Sequence, residues 1–232
     1  ADKTVVVSPG VYSEFADRAK SISLIMNGFD EEDFEENPQS KKEKNFVVSY
    51  TGNLTDNQIF DSVWAAFKEV IESHPQGNQV VFRFTGNVSE KFKTIFSRYG
   101  LRDRLKIYPY CPHAEAVQKM VDSDLLLLPI PLSSSSKFII PAKIFEYLAS
   151  GTPLLAIGPP EGNSSEVLQK GGAGPMIDYS DQNGIEGLIS KELTKWEQEE
   201  DFRVKRWSEA VRQFSRQEKA KKLVSILEGS KS

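Results

Sequence analysis

The chain has 232 residues, 39% hydrophobic, 10% aromatic and 27% charged, a globular composition that excludes disorder and fibrous repeats. Lys and Arg total 29 against 33 Asp and Glu, so the net charge of −4 gives no whole-chain attraction to nucleic acid, and no nucleic-acid partner is expected. One cysteine, Cys111, excludes an internal disulfide framework and fits a reducing compartment.

The chain opens on Ala1 with no secretory leader pattern, which reads as a processed end or a cut from a longer protein. Residues 5–7, a helix around 11–20 and the run 22–26 read as one β-α-β unit. Asn27-Gly28 marks a turn. The stretch 31–44 is charge-rich, with Glu31, Glu32, Asp33, Glu35 and Glu36 followed by Lys41, Lys42 and Lys44, and it reads as a solvated linker. From Phe46 onward short apolar runs alternate with helical patterns. Strands are expected at 46–50, 79–84, 105–108, 125–128 and 154–157, with a weaker one at 176–177. Between the first two, Ile59, Val63, Phe67 and Ile71 repeat every four residues, flanked by Phe60 and Val70, as in an amphipathic helix. Further helices are expected at 89–98, 113–121, 141–150, 163–170 and 184–193. Near the end, Trp207, Val211 and Phe214 form one helical stripe and Ala220, Leu223, Val224 and Leu227 another, each needing an apolar surface to dock on. No segment is long and apolar enough to span a bilayer: the longest run, 125–128, extends only to Ile130 past a proline. Regular β-α alternation with near-continuous apolar strands predicts an α/β fold, a Rossmann-like doubly wound parallel sheet.

In such a sheet ligands bind beyond the carboxyl ends of the strands. Gly52 and Asn53 follow the first strand of the alternation, and Gly86 and Asn87 follow the second. A glycine there lets the backbone approach a ligand, although turns use glycine routinely. No Gly-x-Gly-x-x-Gly is present, so a dinucleotide fingerprint is not supported. The most informative stretch is 133–153. A serine-rich loop leads to Pro141, suited to a first helical turn, where the N–H groups of Ala142 and Lys143 would face the space above the sheet. With the Lys143 ammonium, and Lys137 nearby, this makes a diphosphate seat. Glu146 lies on the same helix face as Lys143 and could accept from a ribose diol; the plainer alternative is an i, i+3 surface pair.

The run from Pro141 to Ala156, containing Pro-x-Lys-x-x-Glu-Tyr and closing on Ser150-Gly151-Thr152-Pro153, resembles the donor-binding segment of retaining GT-B glycosyltransferases. Three further segments are similar to that family in order and spacing: Asn27-Gly28-Phe29-Asp30 through Phe34, Asp124 to Pro129, and Phe214-Ser215 with the helix after it. The resemblance implies that Glu146 binds the ribose hydroxyls, that Lys143 and the Ala142 backbone lie near the diphosphate, and that Gly52 and Gly86 border a nucleotide-sugar cleft. It implies a nucleotide-sugar donor as substrate, no cofactor and no metal. This sequence departs from the family at three places: Phe138 stands where the first Glu of a Glu-x7-Glu motif contacts the sugar, and Asn53 and Gln58 stand where basic residues are common.

Other motifs carry less. Asp122-Ser123-Asp124 spells a metal-binding Asp-x-Asp but precedes its strand, the wrong end for a ligand, and reads as a turn. Gly171 to Pro175 follows a helix and reads as a helix stop. His74 and His113 are far apart, so no metal set exists by spacing, and Cys111 has no evident activating partner. Arg203, Lys205, Arg206, Arg212, Arg216, Lys219, Lys221 and Lys222 read as a solvated helix face, with membrane-surface association as the alternative.

The resemblance divides the chain into residues 1–27, the last β-α-β of an absent N-terminal acceptor domain; 28–45, a polar linker; 46–194, the nucleotide-sugar-binding domain; and 195–232, closing helices. The implied function is sugar transfer from a nucleoside diphosphate sugar with retention, in cell-surface polysaccharide or glycolipid synthesis, at a cytoplasmic location or the cytoplasmic face of a membrane. The alternatives are a non-catalytic module of the same fold with a degenerate sugar site, and half of an epimerase of similar architecture.

Overall fold

The computed structural model describes residues 2–35, 43–198 and 208–229. Glu36, Lys41, Lys42, Arg203, Lys205, Arg206 and Trp207, named above, lie outside the described residues. The chain begins with β1 (Thr4–Val6), α1 (Pro9–Phe15) and β2 (Ile22–Leu24), and the two strands pair in parallel as a sheet of their own. Ser8 caps α1 by accepting from the Val11 N–H, and Pro9 occupies the first turn, where a missing N–H is harmless.

A second sheet carries the core. Its strands are β3 (Phe46–Thr51), β4 (Val80–Thr85), β5 (Leu105–Tyr108), β6 (Leu125–Pro129) and β7 (Leu154–Ile157). All pairings are parallel and the order is β5-β4-β3-β6-β7, so the winding reverses between β3 and β6. In a doubly wound sheet that reversal opens a crevice at the carboxyl ends of those two strands. The run at 176–177 contributes only an isolated bridge, Ile177 to Ile157.

Alternation along the strands builds two cores. Phe46, Val48 and Tyr50 of β3 and Phe82 and Phe84 of β4 face α3 (Asp61–Ser73), α4 (Glu90–Arg98) and, further on, α8 (Gln182–Gln198). Trp64 of α3 sits at the centre of this face, its ring 4.7 Å from Phe96 and 5.4 Å from Phe92. Each such ring removed from water contributes about 1.5–3 kcal/mol, so this cluster dominates the hydrophobic term. On the opposite face Leu126, Leu128, Leu154 and Ala156 pack against α5 (His113–Val121), α6 (Lys143–Ser150) and α7 (Asn163–Lys170).

Several expectations shift. The stretch 31–44 does not begin as a solvated linker: Glu32–Glu35 form a short helix, α2, and Phe29 and Phe34 are buried with ring centroids 5.9 Å apart. Two apolar anchors outweigh the surrounding charge. Helix α1 ends at Phe15, short of 20, and α8 runs to Gln198, beyond 193 and across the expected boundary at 194. At the end, α9 (Glu209–Arg212) is a single turn, and Phe214 is buried against Phe145 between it and α10 (Arg216–Glu228). The apolar stripe of α10 remains open, with Leu223, Val224 and Leu227 at 39%, 50% and 57% exposure. Polar ties hold that helix instead: Lys222 Nζ donates to the Leu24 carbonyl at 2.9 Å and Lys3 Nζ donates to the Ile226 carbonyl. At the junction, Arg216 N–H donates to the Phe29 carbonyl at 2.8 Å, and a Cβ on Gly28 would fall 2.1 Å from the Phe214 carbonyl oxygen. That approach admits only glycine.

Candidate functional site

The crevice at the winding reversal is floored by glycines. The ladders continue past the strand ends, with the Gly52 N–H donating to the Thr85 carbonyl at 2.8 Å across β3–β4 and the Gly86 N–H to the Tyr108 carbonyl at 3.0 Å across β4–β5. Both glycines adopt positive φ, 114° and 113°. A Cβ on Gly86 would lie 2.5 Å from the Gly52 carbonyl oxygen, and one on Gly52 would lie 2.9 Å from Lys143 Nζ. The three residues are therefore stacked, each glycine leaving room for the next group.

Lys143 enters from α6 on the other side of the crevice. Its Nζ donates to the Tyr50 hydroxyl and to the Thr51 carbonyl, both at 2.8 Å, and lies 4.0 Å from the centroid of the Tyr50 ring. Burial without a carboxylate bond holds this ammonium down to about 8 from its ordinary 10.5, with Glu146 acting weakly in the other direction. The Tyr147 hydroxyl meets the Thr51 N–H at 3.2 Å, which fixes α6 against β3. Burial pushes that phenol up to about 12.

Glu146, one turn into α6, has no hydrogen bond or ion pair among the described residues. Burial raises its carboxyl above the usual range, opposed by His113, Arg216 and Lys143, while Asp33 adds to the rise. His113 Nε2 lies 2.9 Å from Asp33 Oδ2, which ties α2 to the start of α5 beside this carboxylate. Gly52, Gly86, Lys143 and Glu146 line one cavity of about 230 Å³, together with Thr51, Thr85, Tyr110, Cys111, His113 and Met120.

The other expected site residues lie elsewhere. Asn53 uses its carbonyl, which accepts from the Tyr50 hydroxyl at 2.8 Å, and its side chain is exposed. Gln58 is spent on structure: Nε2 donates to the Pro129 carbonyl at 3.0 Å and Oε1 accepts from the Thr55 N–H at 3.1 Å. A short turn, Ser136–Phe138, directs Lys137 to Glu161, with 3.7 Å between charged atoms, and leaves Phe138 59% exposed with its ring against Gly10. Neither lines the cavity. Ala142 lines a neighbouring cavity of about 470 Å³ that also touches Glu146. Helix α6 begins at Lys143, preceded by a tight turn in which the N–H groups of Ile144 and Phe145 bond three residues back. The N–H groups of Ala142 and Lys143 have no backbone acceptor among the described residues.

Sequence reasoning missed Tyr50, Thr51, Thr85 and Tyr147 as site residues. The signal available was their position at strand ends or inside the donor-like motif; their contacts depend on strand register. Asp124, by contrast, is an anchor at the amino end of β6, with Oδ2 accepting from the Val47 N–H at 2.7 Å. Among the described residues no group of three or more His, Cys, Asp and Glu is placed to hold a metal, and no helix is long and apolar enough to cross a membrane.

Residues 31–214 match the family profile described as Glycosyl transferases group 1. The chain belongs to the group 1 glycosyltransferases. None of the curated proteins matches this group 1 chain in sequence. Its fold matches GT-B enzymes. It is similar to sucrose-phosphate synthase from Thermosynechococcus elongatus, with TM-score 0.68 and 16% identity over 99% of this chain and 58% of that one. It is also similar to WaaG, a glycosyltransferase involved in lipopolysaccharide biosynthesis, with TM-score 0.65 and 14% identity over 91% and 57%. A third likeness is to the pneumococcal O-GlcNAc transferase GtfA, solved in complex with UDP and GlcNAc, with TM-score 0.63 and 16% identity over 99% and 45%. The group 1 chain thus spans about half of the length of these relatives. Its five-stranded sheet with helices on both faces is a GT-B Rossmann-like domain.

Proposed function

We propose that the chain forms the donor side of a nucleotide-sugar-dependent glycosyltransferase that works with retention. One observation carries the reading: a largely desolvated, part-buried ammonium, Lys143, lies over a glycine turn at the winding reversal, one helical turn from an unpaired carboxylate, Glu146. The Lys143 end of the cavity suits the diphosphate, Glu146 suits the ribose diol, and the Gly86–Tyr110–Met120 end suits the flat face of a base. As the bond to the leaving diphosphate breaks, negative charge grows on its oxygens. The Lys143 ammonium and the N–H groups of Ala142 and Lys143 would stabilise that charge without reorganisation, a device worth about 10²–10³ in rate per donor.

The donor is a nucleoside diphosphate sugar, with no metal or other cofactor required. Acceptor-side groups would come from a partner domain such as the other half of the longer relatives, and residues 1–27 would be its adjoining edge. A cytoplasmic location, work at the membrane surface and a place in polysaccharide or glycolipid synthesis belong to the same reading.

Calorimetric titration of the chain with UDP and GDP tests it. Binding of one of them, lost in Lys143→Met, supports the donor site; no binding of any nucleotide overturns it. Phe138 favours a second reading, a non-catalytic module of the same fold, because the position that should face the sugar points to Gly10. Donor hydrolysis or transfer by the full-length protein would exclude that module, and the anomeric configuration of the product by NMR decides retention.

A further inference from the structure

Beside Lys143 stands a tyrosine whose hydroxyl proton is already committed. The Tyr50 O–H donates to the Asn53 carbonyl at 2.8 Å, so its oxygen lone pairs remain to accept from Lys143 Nζ, also at 2.8 Å. Tyr50 is fully buried in the β3–β4 aromatic core, its ring 5.8 Å from Phe84, and it cannot swing away. The same ring lies under the ammonium. Gly52 above leaves the Nζ open to the cavity.

We infer that Tyr50 is a positioning residue of the donor site: its hydroxyl and ring hold the Lys143 ammonium at the cavity floor, facing the place of the donor's diphosphate. This rests on the donor-binding reading and adds to it a residue that makes no contact with the ligand. The arrangement has a chemical consequence. Lys143 has no carboxylate bonded to it, so a phenol oxygen, a carbonyl and a ring supply most of what keeps it charged. Burial pushes the Tyr50 phenol above its ordinary value, so it remains a neutral acceptor wherever Lys143 titrates. The other ionisable groups around Lys143 are Glu146 and Tyr147 on its own helix, Cys111 and His113 from the segment opening α5, and, beyond Glu146, Asp33 and Arg216.

The test compares the unmodified chain with Tyr50→Phe, which keeps the ring, and Tyr50→Leu, which removes it. Lys143 is titrated by NMR at its Cε, assigned by its absence in Lys143→Met, and UDP affinity is measured from pH 7 to 9, above the last ionisation of a phosphate at about 6. Removing an acceptor from a charged donor lowers the Lys143 midpoint from about 8 by about one pH unit. UDP affinity in Tyr50→Phe is then about twofold weaker at pH 7, about threefold weaker at pH 7.5 and about ninefold weaker at pH 9, with Tyr50→Leu further displaced. An unmoved Lys143 midpoint in Tyr50→Phe, or an affinity loss equal at every pH, overturns the inference while leaving the donor site in place. A midpoint near 10.5 in the unmodified chain overturns it as well. Where GDP binds and UDP does not, GDP is the probe in the same comparison; failure of both to bind the unmodified chain instead removes the donor reading on which the inference rests.

Discussion

Replacing Lys143 by Met should stabilise the fold at neutral pH and weaken donor binding together. Met fills nearly the same volume without a charge. The Lys143 ammonium titrates near 8 in the folded chain and near 10.5 when exposed, so at pH 7 folding carries a desolvation deficit of about 3 kcal/mol. The sign follows from the protons bound. Between about 8 and 10.5 the unfolded chain holds the proton that the folded chain has lost, so stability rises with pH across that window. Below it the full deficit is present, and above it the deficit is gone. Met also forfeits the bonds to Tyr50 and Thr51, so about half of the figure, about 1.5 kcal/mol, should be recovered. For a domain of this size that raises Tm by about 3–6 °C at pH 7. Thermal melts of both proteins from pH 7 to 10.5 would show a gap that closes near pH 9 and then reverses, leaving the variant the less stable at pH 10.5, while UDP affinity falls about 10–100-fold in the variant, as loss of a charged phosphate contact requires. A variant less stable at pH 7, a gap that does not close with pH, or unchanged UDP affinity would refute the reasoning.

Glu146→Ala should weaken UDP about tenfold and leave pyrophosphate binding unchanged, measured by calorimetry, whereas Lys143→Met should lower both. Because burial raises the Glu146 carboxyl, the folded chain binds the extra proton and stability falls as pH rises past 4.5; chemical denaturation at pH 7 should find Glu146→Gln at least as stable as the unmodified chain. Gly86→Ala places a Cβ 2.5 Å from the Gly52 carbonyl at a φ of 113°, so denaturant melts should show a loss of about 1–3 kcal/mol together with loss of UDP binding. Asp124→Ala orphans the buried Val47 N–H, and about 2 kcal/mol should be lost in the same melts with UDP affinity intact; a metal role for the Asp-x-Asp would instead make binding metal-dependent.

The sheet is legible in the sequence because each strand is a short apolar run stopped by glycine or proline. The stretches 105–108 and 154–157 coincide with β5 and β7. The strand order is not legible, since nothing local says that β3 lies between β4 and β6. Within the site, Gly52 and Gly86 directly follow β3 and β4, and helix α6 brings Lys143 and Glu146 to the same crevice. Lys137 and Phe138 follow the same strand as Lys143 but are turned aside: Ser136 Oγ donates to the Pro131 carbonyl at 2.7 Å and folds the serine-rich loop back on itself. Side-chain bonds of that kind are invisible to spacing. Phe29 and Phe34 escaped for a related reason, because a charged surrounding masks two rings whose partner, Phe214, comes from the far end of the chain.

The departures at 53 and 58 have a common consequence for the charge of the crevice. At the two positions where the family resemblance leads one to expect basic side chains, this chain has an exposed amide at Asn53, whose backbone carbonyl alone receives the Tyr50 hydroxyl, and a Gln58 whose side chain bridges the β3 and β6 loops. Positive charge at the crevice floor is therefore concentrated in Lys143 alone among those positions, and that charge is part-buried. A single desolvated ammonium interacts with a phosphate more strongly than several hydrated ones, because the surrounding dielectric is lower. The same burial makes its charge conditional on pH near neutrality, which surface lysines titrating above 10 do not share. Substituting Arg at 53 and 58 in this chain would test the trade directly. UDP affinity that no longer falls between pH 7 and 9 would mean that distributed charge replaces the buried one; a fall that persists would assign the dependence to Lys143.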